Sequence, residues 1–194
     1  MNSTSCFLRS FVTACAIALL TACSDSGTGE RVLVARPEGG DFVLQSTVGQ
    51  LDTRALRGNV LLIYFGYVNC PDICPVSMAA GAAALNALTP AERAKTRMIM
   101  ISVDPERDTP AKLKDYVAYF HPSVVGAVGT ATETAAIAKS FGVGYLRQPT
   151  RPDGGYAVDH SSQTFVIGPD GKVAELLPMG VPTEKVVATV RKLL

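Results

Sequence analysis

The order of apolar and polar residues along the chain predicts a domain of alternating strands and helices. Two segments are apolar on both faces, as are strands buried in the middle of a sheet: 58–67 (GNVLLIYFGY) and 96–104 (TRMIMISVD). Shorter strands are predicted at 41–46 (DFVLQS) and 123–129 (SVVGAVG). Helical patterns follow the two buried strands, which indicates the α/β class.

Four segments have the apolar spacing of helices. They are 75–88, 109–120, 130–142 and 182–194. Pro75 suits the first turn of the first helix. Thr109 is predicted to cap the second, and Thr130 with Glu133 forms a capping box for the third. These end signals strengthen the prediction of helices between the strands.

Two hairpins are predicted in the last third of the chain. The segments 143–149 and 155–160 flank the turn TRPDGG, and 163–178 folds back at a Pro-Asp-Gly bend. The order of elements is that of an α/β thioredoxin-like sandwich. In that fold, 143–160 is expected to be an inserted hairpin.

The first residues are predicted to be a leader and not part of the fold. Residues 11–22 (FVTACAIALLTA) form an apolar run well below the ~20 residues of a spanning helix but typical of a signal peptide. The run ends in LTAC, which resembles the lipobox of bacterial lipoproteins; an ordinary signal peptide is the alternative. The expected organisation is a signal peptide at 1–22, a lipidated Cys23, a tether at 23–40 and a folded domain at 41–194.

The charge balance and the number of cysteines limit the classes of function that the protein could have. The 18 lysines and arginines nearly balance the 17 aspartates and glutamates, so nothing indicates a nucleic-acid partner. Cys6 and Cys15 would leave with the leader and Cys23 would carry lipid, which leaves Cys70 and Cys74 in the domain. An exported protein can hold a disulfide, but one closing so short a loop stabilises little.

Cys70 and Cys74 lie between the end of the first buried strand and the start of the following helix. Sites in open α/β sheets gather at the carboxyl ends of strands. A helix N-terminus favours thiolate over thiol, so the sequence predicts accessible, acidic cysteines there. Residues four apart on a helical turn share a face. The spacing therefore leaves both a redox disulfide and a shared metal ion open.

Candidates to complete a metal site are few. Of the two histidines, His121 is expected to cap a helix end, whereas His160 precedes a buried strand that should lie beside the cysteines. Two thiolates and one imidazole suit Cu(I), while structural Zn(II) usually has four protein ligands. The alternative for His160 is an ordinary hydrogen-bonded histidine. Three acidic residues near the site could orient the ligands by hydrogen bonding, or could have only a structural role in turns. They are Asp72, Asp104 and Asp159.

Three segments together resemble the SCO/SenC family of copper-binding assembly proteins. They are FGYVNCPDICP (65–75), ISVDPERDTP (101–110) and YAVDHSSQTFVIGPDGKV (156–173). Val68 departs from the threonine of many members, but it is not a ligand type. The family's copper ligands fall on Cys70, Cys74 and His160.

The resemblance implies a copper cargo, as Cu(I), Cu(II) or both, and a thioredoxin-like domain tethered to the periplasmic face of a bacterial inner membrane. It implies a role in building the dinuclear copper centre of cytochrome c oxidase. The implied partners are the copper-bearing subunit of that oxidase and a periplasmic copper donor or thiol reductant. A metallochaperone, a thiol–disulfide oxidoreductase and a sensor all remain open. A peroxidase is disfavoured, because Tyr67 lies three residues before Cys70 where a threonine is expected.

Overall fold

The computed structural model describes residues 37–194, and its centre is a seven-stranded sheet with an additional two-stranded sheet. The strands of the large sheet are β1 (Val43–Ser46), β2 (Gly49–Asp52), β3 (Val60–Gly66), β4 (Thr96–Ser102), β5 (Val124–Val128), β8 (Thr164–Ile167) and β9 (Val173–Leu177). The two-stranded sheet consists of β6 (Tyr145–Arg147) and β7 (Val158–His160).

Five α-helices and one short 3-10 helix accompany the strands in the described part of the chain. The α-helices are α1 (Ile73–Ala87), α2 (Pro90–Ala94), α3 (Pro110–Phe120), α4 (Ala131–Ser140) and α5 (Thr183–Leu193), and the 3-10 helix is Thr53–Leu56. The predicted cap of α3 by Thr109 and the capping box of α4 are both present.

The strand order of the large sheet is β2-β1-β5-β4-β3-β8-β9. The pairs β3–β4 and β4–β5 are parallel, whereas β8 pairs antiparallel with β3 and with β9. This arrangement confirms the predicted thioredoxin-like fold, and the antiparallel pair β6–β7 is the inserted hairpin. The carboxyl ends of β3 and β4 lie side by side, because Gly66 pairs with Ser102.

The core is centred on β3, in which every residue from Val60 to Gly66 is buried. Phe65 contacts Phe141 and Phe165 with ring centroids 5.5 and 5.8 Å apart. Full burial of a side chain of this kind contributes about 2 kcal/mol to folding. The strand end that leads into the cysteine segment is therefore held rigidly by the core.

The structure differs from the sequence prediction in several short elements. Helix α1 begins at Ile73, two residues before the predicted start at Pro75, so Cys74 lies in the first helical turn. Strand β2, the 3-10 helix and α2 were not predicted, since elements of four or five residues are too short to show a clear period.

The predicted leader, the lipid site at Cys23 and nearly all of the tether lie outside the described residues. Within residues 37–194, no helix has both the length and the apolar character needed to cross a bilayer.

Candidate metal centre

The two cysteines lie in a tight connection between β3 and α1. The backbone N–H of Cys70 donates to the carbonyl oxygen of Tyr67 at 3.2 Å, which closes a turn directly after the strand. Cys74 follows in the first turn of α1. Both side chains are free thiols, 7% exposed for Cys70 and 0% for Cys74. The connection thus turns both sulfurs towards the interior.

The inserted hairpin brings His160 to the cysteines. His160 is the last residue of β7 and not part of the predicted entry loop. Its Nε2 atom lies 3.3 Å from Sγ of Cys74. The Nε2 atom and the two sulfurs all lie within 4.8 Å of one another. One metal ion could therefore contact all three donor atoms after small side-chain movements.

Hydrogen bonding prepares the His160 ring for ligation. Its Nδ1 atom lies 3.0 Å from the carbonyl oxygen of Ser161. A carbonyl oxygen only accepts, so Nδ1 carries the proton and the lone pair of Nε2 faces the cysteines. Burial lowers the pKa of His160 below its usual value. The imidazole is therefore neutral near pH 7, as a metal ligand must be.

The thiol of Cys74 does not have the acidity that the sequence predicts. Burial raises the pKa of Cys74 to about 12, well above its usual value. Neither cysteine has the predicted accessibility, since both side chains are buried. The prediction of an acidic thiol was wrong for Cys74, because desolvation of its thiolate outweighs the favourable field of the helix N-terminus. Cys74 is consequently a protonated thiol near neutral pH until a metal or a base removes its proton.

Tyr64 and Gly66 pack against the side chain of Cys74, and neither was among the site residues predicted from the sequence. The hydroxyl of Tyr64 lies 3.7 Å from Sγ of Cys74, and its ring meets His160 edge-on with centroids 6.1 Å apart. A Cβ atom added to Gly66 would lie 2.7 Å from the same sulfur. Alternate residues of a strand share a face, so the period of β3 could have placed both beside the site.

We expect Gly66→Ala to destabilise the domain by about 2 kcal/mol, because the added methyl group would overlap the sulfur of Cys74. Chemical denaturation of the reduced protein measures this change. Gly144→Ala is the matched control, since its Cβ would have no neighbour within 4 Å. Equal stability of the two variants would contradict the close packing described for the site.

The three acidic candidates lie in different surroundings. Asp72 precedes α1, but its side chain is exposed and makes no capping hydrogen bond. Asp159 is exposed next to His160 and accepts a hydrogen bond from Gln148 across the hairpin. Its negative charge opposes the effect of burial on the pKa of His160 without reversing it.

Asp104 is buried and connects the loop after β4 to the hairpin. Its carboxylate accepts hydrogen bonds from Arg107 and, at 2.7 Å, from the hydroxyl of Tyr156. Asp108 in the same loop accepts from the backbone N–H of Val68 at 3.2 Å. These carboxylates hold the segments that carry the cysteines and the histidine, but they do not belong to the group of metal-ligand candidates.

His121 lies apart from this group. It is the C-terminal cap residue of α3, and its Nδ1 accepts the backbone N–H of Ser123 at 3.1 Å. The capping role predicted for it is confirmed.

A thioredoxin-like fold with two cysteines and a histidine converging at the end of β3 defines a class of thiol-based metal or redox proteins. Residues 32–194 match the model of the SCO1/SenC family. The protein therefore belongs to the SCO1/SenC family.

Relatives and solved structures agree with this assignment. An SCO2-like protein of Rickettsia felis is 38% identical over 136 residues, covering 69% of this chain and 66% of the relative. A structure of Bradyrhizobium japonicum ScoI with copper bound has 34% identity and a TM-score of 0.75, covering 81% of this chain and 99% of that one. The chain spans between 40% and 66% of the length of the curated relatives that it matches.

A third similar structure is BsSco, described as a member of the Sco family of cytochrome c oxidase assembly proteins with a disulfide switch. It has 30% identity and a TM-score of 0.64, and the match covers 81% of this chain and 93% of BsSco.

Proposed function

We propose that this protein is a copper metallochaperone that binds one copper ion through Cys70, Cys74 and His160. The observation that carries the proposal is the convergence of two sulfurs and one Nε2 atom within 4.8 Å. The copper-bound structure of the similar B. japonicum ScoI supports it.

The donor set favours copper over zinc. Thiolate sulfur is a soft ligand that selects Cu(I), and imidazole suits Cu(II) as well. A structural zinc site takes four protein ligands, and no fourth residue joins this group within residues 37–194. A site with three protein ligands also leaves room for an incoming ligand.

Unequal burial of the cysteines suggests how copper is passed on. Cys74 is fully buried against Tyr64, whereas Cys70 keeps some exposure and His160 is half-buried. A thiolate from a partner would therefore reach the metal from the side of Cys70 and His160. Transfer then proceeds by exchange of these outer ligands, with Cys74 released last.

The proposed client is the copper-bearing subunit of cytochrome c oxidase, in which this protein assists assembly of the dinuclear copper centre. Membership of the SCO1/SenC family and the oxidase assembly role of BsSco support this setting. The lipobox-like LTAC ending at Cys23 supports a lipid anchor at the periplasmic face of a bacterial inner membrane. Copper would come from a periplasmic donor.

Thiol–disulfide exchange is the second candidate function, because both cysteines are free and their sulfurs lie close together. In this reaction the Cys70–Cys74 dithiol gives two electrons and two protons to a client disulfide. The client gains two thiols, and a Cys70–Cys74 disulfide forms. The disulfide switch described for BsSco favours this candidate. Oxidation would remove both thiolate ligands, so copper loading requires the reduced pair.

A strain that lacks the gene separates the two functions. We expect reduced cytochrome c oxidase activity that added copper restores if the protein delivers copper. A small thiol reductant would restore activity if the protein reduces the client's cysteines. Normal oxidase activity in the strain at limiting copper would contradict both functions.

We expect His160→Ala to weaken copper binding by at least about 10-fold, since loss of an outer partner of a ligand already costs 10- to 100-fold in affinity and this change removes a ligand while both sulfurs remain. Competition with a chelator measures the affinities for Cu(I) and Cu(II). His121→Asn is the matched control, because it alters the other histidine and keeps an acceptor for Ser123. Unchanged affinity for both ions in His160→Ala would show that the proposed ligand set is wrong.

A further inference from the structure

The hairpin that carries His160 is attached to the rest of the domain by a few side chains. Strands β6 and β7 pair with each other and do not pair with any strand of the seven-stranded sheet. The position of His160 relative to the cysteines therefore depends on the three-residue link from β7 to β8 and on contacts outside the main sheet. One such contact is the backbone N–H of Val158, which donates to the hydroxyl of Tyr67 at 3.2 Å.

Tyr67 touches both ligand-bearing segments. Its carbonyl oxygen accepts the N–H of Cys70 at 3.2 Å, and its hydroxyl accepts the N–H of Val158, two residues before His160. Its ring also meets the His160 ring edge-on, with centroids 5.7 Å apart. The side chain is buried, at 2% exposure. A single residue thus spans the gap between the cysteine turn and the histidine strand.

Arg107 supports this bridge from the other side. Its guanidinium group lies 5.6 Å from the centroid of the Tyr67 ring and 3.5 Å from that of Tyr156. It also donates to the carbonyl oxygen of Tyr156 at 2.9 Å and to the carboxylate of Asp104. The ring of Tyr67 is therefore held between Arg107 and His160, with its hydroxyl at the backbone of β7.

We propose that Tyr67 is a positioning residue whose hydroxyl holds β7 so that His160 faces the two cysteines before copper arrives. This inference rests on the proposed copper site. A ligand that is already held in place binds the metal more tightly, because no free energy of binding is lost in ordering its side chain. Without the hydroxyl, a buried N–H on β7 loses its acceptor, and the histidine is held less firmly.

A double-mutant cycle tests the coupling between Tyr67 and His160. Tyr67→Phe removes only the hydroxyl, and we expect about fivefold weaker copper binding, the equivalent of one typical hydrogen bond. In the His160→Ala background the same change should have no effect, because the hydroxyl acts through the histidine. Tyr116→Phe is the matched control, since the buried hydroxyl of Tyr116 has no hydrogen-bond partner within residues 37–194.

Hydrogen exchange of the Val158 amide gives a second measurement, independent of copper. We expect this amide to be protected in the wild-type protein and about tenfold less protected in Tyr67→Phe, with no change in Tyr116→Phe. An unprotected Val158 amide in the wild-type protein would overturn the inference even if Tyr67→Phe fails to fold.

Equal losses of affinity from Tyr67→Phe with and without His160 would also overturn the inference, since they would indicate a general structural effect. So would an unchanged affinity in Tyr67→Phe. If the wild-type protein binds copper and His160→Ala weakens it, these outcomes refute only the role of Tyr67. Failure of the wild-type protein to bind copper would refute the proposed function itself.

Discussion

Replacing Cys74 by serine is expected to lower the affinity for Cu(I) by more than about 100-fold. Loss of an outer partner of a metal ligand already costs 10- to 100-fold, and this change removes a ligand. A serine hydroxyl is a hard donor that Cu(I) does not favour. Cys74 is also the most enclosed of the ligands, between Tyr64 and His160. Competition with a Cu(I) chelator under reducing conditions measures the loss.

Cys70→Ser is expected to lower the affinity in the same way, because it removes the other sulfur of the same group. Cys23→Ser, compared in the full chain without lipid modification, is the matched control, since it removes a cysteine outside residues 37–194. Circular dichroism of each variant establishes that the fold is retained. A Cys74→Ser variant that keeps wild-type affinity while Cys23→Ser loses it would place the metal elsewhere in the chain.

Copper binding is expected to strengthen with pH by about tenfold per pH unit on account of Cys74 alone. Burial raises the pKa of Cys74 to about 12, so the metal-free protein carries this proton throughout the neutral and mildly alkaline range. The copper-bound sulfur is a thiolate, so binding releases the proton, and a rise in pH favours release. The dependence should continue until the pH approaches the pKa of Cys74.

His160 adds nothing to this rise of affinity with pH above its titration range. Burial lowers its pKa, so the ring is already neutral above its usual titration range, and it releases no proton there on binding copper. Affinities measured at several pH values between about 6.5 and 8.5, corrected for protonation of the chelator, give the slope. Cys74→Ser should show a shallower slope than the wild-type protein. A wild-type affinity independent of pH would contradict the buried, protonated thiol.

Much of the fold could be predicted from apolar periodicity and end signals. Strand β3 appears as an uninterrupted apolar run because both of its faces are buried. The caps of α3 and α4 appear as Thr109 and Thr130 because their side chains bond to backbone groups only three residues away. Strand β2 (GQLD) could not be predicted this way, since it has four residues of which only Leu51 is buried, which is too few to show a period.

The candidate ligands could be named from the sequence, but their environment could not. The order of elements places Cys70 and Cys74 at the end of β3 and His160 beside them, and the resemblance implies that all three are copper ligands. The pKa of Cys74 was predicted to be lowered, but it is raised. A helix N-terminus can be recognised in a sequence, whereas the depth at which a side chain is buried cannot. In the sequence, Tyr67 was noted only because it stands where a peroxidase motif has threonine. Its hydrogen bond to Val158 could not be predicted, since the two residues are 91 positions apart in the chain.

X-ray absorption spectroscopy of the reduced, copper-loaded protein identifies the atoms that bind the metal. We expect one Cu(I) per chain bound by two sulfurs and one imidazole nitrogen, with the nitrogen lost in His160→Ala and one sulfur lost in Cys74→Ser. A wild-type copper shell without imidazole, or one that neither variant changes, would contradict the Cys70–Cys74–His160 site.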